Sequence, residues 1–113
     1  MIHARVKMEL KPEKNEETLQ LLCSIAKRTR NMPGCMGCNI YRGIENESVI
    51  LIDQLWNRRE DMIHHLRSED YQKLLLILEM AENKPDIHFN TIKSTSGIDT
   101  IQKARTGKQI NRL

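Results

Sequence analysis

The chain is short of several things at once. It has one Trp, one Phe and two Tyr among 113 residues, and its longest uninterrupted apolar run is the five residues Leu74 to Leu78. A membrane-crossing helix needs about 20 consecutive apolar residues, so none is expected, and Met1 to Lys11 lacks the continuous apolar core of a secretory signal. These absences point to a soluble, cytoplasmic protein. No repeat or low-complexity segment is visible. At 39% hydrophobic residues the chain can bury one core and has no room for a second domain.

A basic stripe interleaved with aromatics is also missing. The formal charge of +3 is carried by residues 95–113, where Lys103, Arg105, Lys108 and Arg112 stand against Asp99, and the rest of the chain is neutral. A phosphate backbone would find no continuous footprint, so nucleic acid is not an expected partner. Nor is there a second Cys pair to complete the single CxxC of Cys35 and Cys38. A structural zinc site needs four ligands, and a redox CxxC needs its first thiolate at a helix N-terminus. The segment "CMGCNIY" reads as strand, where residues three apart face opposite sides. Free thiols that bind no metal are the expectation for Cys23, Cys35 and Cys38.

What is present is clear periodicity. Ile2, Ala4, Val6, Met8 and Leu10 alternate with His3, Arg5, Lys7 and Glu9, a strand with one apolar face. Pro12 ends it, Asn15 can cap a helix, and Leu19, Leu22, Cys23 and Ala26 recur at helical spacing up to the "NMPG" break. A hairpin follows, Cys35 to Arg42 and Ser48 to Trp56 around "GIENE". Two short helices come next, one near Arg59 to Leu66 and one capped by Ser68 with Tyr71, Leu74, Leu75 and Leu78 on one stripe. "IHFNTI" is the last strand. The order β-α-β-β-α-α-β predicts an α+β, ferredoxin-like domain over residues 1–94, with an antiparallel sheet and helices on one face. Residues 95–113 form a basic tail in which Gly97 to Gly107 either makes a short helix docked through Ile98 and Ile101 or frays.

The second hairpin strand, "SVILIDQLW", is apolar on both faces. With helices on one side only, the other side would put Val, Ile or Leu in water, and a second copy of the same sheet is the economical cover. A homodimer follows.

The segment "WNRREDMIHHLRSEDY" holds Trp56, His64, His65 and Tyr71. Adjacent helical residues diverge by about 100°, so the two histidines cannot address one metal. The stripe of Met62, Ile63 and Leu66 turns His64 to water and leaves His65 at the margin of the buried face. A histidine there can exchange a proton near neutrality, or it can be a structural group bonded to backbone. Trp56 and Tyr71 likewise read either as core or as walls of a pocket for an aromatic molecule, with Leu75 beside them.

Taken in order, "PGCMGCNIYRG" and "VILIDQLWNRREDMIHHLRSEDYQKLL" resemble the antibiotic biosynthesis monooxygenase domain: a Pro-Gly-Cys turn, a Tyr-Arg strand end, a strand ending in Trp, and a His-Leu pair nine residues later. Trp56 and His65 stand at that spacing. The resemblance implies a dimeric α+β barrel. It also implies, for several members, oxidation of phenols or quinols by molecular oxygen without a cofactor. Two departures narrow what carries over: Cys38 stands where the family often has Tyr, and Asp70 where a second His often precedes the aromatic. The haem-degrading branch uses an Asn in the first strand, and "MIHARVKMEL" has none, which disfavours haem. The expectation is a cofactor-independent monooxygenase acting on a hydroquinone or polyketide phenol. His65 is its proton acceptor, Trp56, Tyr71 and Leu75 contact the substrate, and oxygen is the co-substrate. The alternative is a non-catalytic dimer that binds a small ligand or a protein partner.

Overall fold

The computed structural model describes residues 1–11, 13 and 15–107. Pro12 as the strand terminator, and Lys108 and Arg112 of the basic tail, lie outside them. The elements run β1 (Ile2–Glu9), α1 (Asn15–Thr29), β2 (Cys35–Arg42), β3 (Val49–Trp56), α2 (Arg59–Leu66), α3 (Glu69–Glu79), β4 (Asp86–Thr91) and α4 (Ile98–Thr106). The sheet order is β2-β3-β1-β4 with every neighbouring pair antiparallel, the ferredoxin-like arrangement. The alternation of β1 explains its central place: Ile2, Ala4, Val6 and Met8 are all buried under the helices, opposite Trp56, Gln54, Ile52 and Ile50 of β3.

α1 and α3 close over this face. Leu22, Ile25 and Ala26 from α1 and Tyr71, Leu74, Ile77 and Leu78 from α3 are buried with the β1 and β3 residues. Each such large side chain contributes about 1.5–3 kcal/mol by leaving water. Ser68 caps α3 as its position predicts, its Oγ accepting from the Tyr71 amide at 3.2 Å. Asn15 is instead the first helical residue, and its Nδ2 donates to the Glu47 carbonyl at 3.3 Å. A bidentate pair, Arg28 to Asp70 at 2.9 Å for both contacts, ties α1 to the start of α3.

Two local features seat α2. Gly34 adopts φ +79°, and a Cβ there would stand 2.2 Å from Oδ2 of Asp61, so the turn before β2 needs glycine twice over. Its carbonyl accepts from the Asn57 amide at 2.8 Å, fixing the exit of β3 into α2. Just beyond it, β2 carries a bulge: Cys35 faces Trp56, Gly37 faces Leu55 and Cys38 faces Gln54, with Met36 the extra residue. Cys35 and Cys38 therefore point to the same, helix-covered side. This corrects the opposite-face expectation, which assumes an unbroken period of two.

The other side of the sheet is open in the single chain. It presents half-buried Val49, Leu51 and Leu55 beside exposed Tyr41, together with Arg5, Lys7 and the paired His3 and Asp53. In the tail the helix forms, but Ile98 and Ile101 are 71% and 59% exposed, so docking through them does not occur within one chain. A nine-residue helix whose apolar residues are two isoleucines and one alanine has little apolar surface with which to hold itself against the rest of the chain.

Candidate functional site

The period of β3 places Gln54 and Trp56 two residues apart, both buried beneath the helices. α2 then turns Met62 and His65 inward and leaves His64 in solvent. The Arg67–Ser68 corner starts α3 so that Tyr71 comes down beside them. The result is one aromatic cluster. The His65 ring lies on the Trp56 indole, with centroids 5.1 Å apart and planes at 29°, and meets Tyr71 edge-on at 5.3 Å and 83°. Trp56 and His65 both have 0% exposure.

Gln54 links the two rings. Trp56 Nε1–H donates to Gln54 Oε1 at 2.9 Å, and Gln54 Nε2 meets His65 Nε2 at 3.4 Å, a long contact. His65 Nδ1 is buried without a partner among the described residues. An enclosed polar atom with no hydrogen bond costs about 1–3 kcal/mol, so a fully buried imidazole with one weak contact calls for a reason.

Burial lowers the pKa of His65 below its usual 6.5, the nearby Asp70 carboxylate opposing in part, so the ring is neutral at pH 7. Burial likewise raises the Tyr71 hydroxyl above 10.0. Asp70 itself is held low by Arg28. Cys38, opposite Gln54, is pushed up to about 11, by burial first and then by neighbouring Cys35, against the Gln54 side chain and Arg30. Burial also raises Cys35. Both thiols are therefore protonated and chemically quiet at neutral pH.

The structure thus brings together Trp56, His65 and Tyr71 and leaves out Leu75. That side chain is 41% exposed, one turn on from Tyr71 at the edge of the α3 face that buries Tyr71, Leu74 and Leu78. His65 sits at the centre of the buried face rather than at its margin, because α2 buries the turn formed by Met62 and His65 while Ile63 is only half-buried. Gln54 and Cys38 are the additions. The signal for Gln54 was legible: a lone amide two residues before Trp56, on the face of a strand that otherwise buries Ile50 and Ile52. A cleft of about 230 Å³ lined by Leu10, Lys11, Thr18 and Met80 lies at the opposite end of β1 and, among the described residues, holds no acid–base cluster. Among the described residues no three His, Cys, Asp or Glu side chains gather as metal ligands, and no helix is long and apolar enough to cross a membrane.

Comparison with known proteins agrees with this architecture. The family model described as antibiotic biosynthesis monooxygenase matches residues 1–75. A crystal structure from Deinococcus radiodurans, provisionally named an antibiotic biosynthesis monooxygenase, superposes with a TM-score of 0.79 at 20% identity, covering 87% of this chain and 98% of that one. A conserved protein from Methanosarcina mazei superposes at 0.74 with 25% identity, covering 81% and 92%. An uncharacterized protein from Synechocystis is 24% identical over 80 residues, 71% of this chain and 50% of its own length, so the chain spans about half of that relative.

Proposed function

The chain belongs to the antibiotic biosynthesis monooxygenase family, and from that premise we propose that it is a cofactor-independent monooxygenase acting on an electron-rich aromatic, a hydroquinone or polyketide phenol. The observation that carries this reading is His65: neutral, wholly buried, stacked on Trp56 and short of hydrogen bonds. A neutral imidazole can take a phenolic proton, and a phenolate is electron-rich enough to reduce oxygen directly. For a hydroquinone the balance is one quinol and one O₂ giving one hydroxyquinone and one water, so no external reductant is consumed. The protein's part is to accept the proton at His65 and to exclude water, with Trp56 and Tyr71 walling the ring. Since neither Trp56 nor His65 touches solvent, a substrate enters by displacing Tyr71 or the Arg67–Ser68 corner. The working unit is a homodimer in which the open sheet faces, with Val49, Leu51, Leu55 and Tyr41, cover one another.

The test is oxygen consumption with a panel of quinols and phenols. His65→Ala should lower turnover by about 10²–10⁴-fold, the usual loss of a general base, while His64→Ala changes little. Equal small effects would remove His65 from the chemistry. Light scattering should give a dimer at micromolar concentration. One observation favours a second reading: the rings of Trp56, His65 and Tyr71 fill their own space in this conformation. A folded dimer that turns over none of the panel would be a non-catalytic domain binding a small apolar ligand or a protein partner.

A further inference from the structure

We infer that Gln54 is a positioning residue that fixes His65 as the Nδ1–H tautomer, making Nε2 its one basic nitrogen. An indole N–H can only donate, so the atom 2.9 Å from Trp56 Nε1 must be the amide oxygen. That choice settles the other end of the amide, and an NH₂ group, which can only donate, faces His65 Nε2 at 3.4 Å. Nε2 must then present its lone pair, and the single proton of the neutral ring sits on Nδ1, where it meets no protein acceptor among the described residues. The opposite tautomer would set two N–H groups against each other, and one lost hydrogen bond of this kind disfavours it by about tenfold or more.

The same geometry opposes the imidazolium. A proton on Nε2 would point at the Gln54 NH₂, and the amide cannot turn its oxygen round without abandoning Trp56. Gln54 thus stabilises the neutral ring by hydrogen bonding, in the same direction as burial. The other titratable or charged groups about the ring are Tyr71 from α3, Cys38 from β2 across Gln54, and Asp70, already engaged by Arg28. Resting on the proposed function, the consequence is that the substrate hydroxyl must displace the Gln54 NH₂ to reach the Nε2 lone pair, and a proton taken there is held weakly and is given back within the turnover, to the reduced oxygen that leaves as water.

Histidine ¹⁵N NMR of the free protein reads this directly. In the wild type at neutral pH, Nδ1 should carry the proton and Nε2 the lone pair. Gln54→Glu keeps the Trp56 contact but replaces the NH₂ with a second oxygen. It should move the proton to Nε2 and raise the His65 titration by one pH unit or more, with the acid limb of any turnover profile moving alongside it. Trp56→Phe removes the pin and should leave a mixture of tautomers while Gln54 is intact, an effect that a merely space-filling glutamine would not produce. A wild-type Nε2–H tautomer, or a His65 titration unchanged in Gln54→Glu, overturns the assignment. Should Gln54→Glu fail to fold, the wild-type tautomer and Trp56→Phe decide it. Because the spectra need no substrate, a correct tautomer with no turnover would leave this inference standing and remove only the proposed activity.

Discussion

Lowering the pH should cost this protein stability through one histidine. An exposed histidine in the unfolded chain titrates near 6.5, whereas burial holds the folded-state pKa of His65 below that. Above 6.5 neither state binds the proton, and the contribution of the neutral, buried ring is complete. As the pH falls below 6.5 the unfolded chain protonates and the folded one does not, so the free energy of unfolding declines until the folded-state pKa is reached. The steepest part of that decline is about 1.4 kcal/mol per pH unit. Urea unfolding at steps between pH 7.5 and 5, for the wild type and for His65→Leu, isolates it. His3, His64 and His88 are common to both, and the Asp70–Arg28 pair, with the Asp70 pKa held below 3.8, is lost only at more acid pH. The variant should lose that slope. Parallel curves for the two proteins would mean that His65 is not held neutral by its surroundings.

Trp56→Ala should destabilise by about 3–5 kcal/mol in the same assay, since it empties a fully buried indole site and strands Gln54; a loss under 1 kcal/mol would contradict that packing. Leu74→Ala should cost about 2–5 kcal/mol and its half-exposed neighbour Leu75→Ala distinctly less, which a pair of urea melts would show. Gly34→Ala should cost about 1–3 kcal/mol from the positive φ alone, with the Asp61 clash in addition. In native protein a thiol reagent should label exposed Cys23 quickly and Cys38 only on unfolding, Cys38 being buried with a pKa near 11.

The β1 alternation, the hairpin, both short helices and the Ser68 cap could be read from the sequence because each is set by residues close to one another along the chain. The exposed His64 followed from helical rotation in the same way. What could not be read depends on contacts between elements. Asn15 sits at the right place for a cap, but the Glu47 carbonyl, 32 residues away, takes its side chain. Leu74 and Leu75 look alike in an apolar run, and only the angle at which α3 lies on the sheet separates buried from exposed. The depth of His65 was missed for that reason too: Trp56 and Tyr71 enclose it from two other elements, and the periodicity of α2 alone puts it at an edge.

The bulge at Met36 has a bearing on how this strand should be compared with its relatives. Along β2 it acts as a change of phase: residues on either side of it obey opposite parity rules for facing the helices. A residue-by-residue match to a strand without the extra position would be right for Cys38, Ile40 and the rest toward Arg42, and would assign Cys35 and the Gly34 turn to the wrong side. The two cysteines, three apart, thus share a neighbourhood beside Trp56 and Gln54. Deleting Met36 alone should therefore remove the bulge while leaving Cys35 opposite Trp56 and Gly34 beside the Asn57 amide, because the pairing on both sides of it is then in regular register.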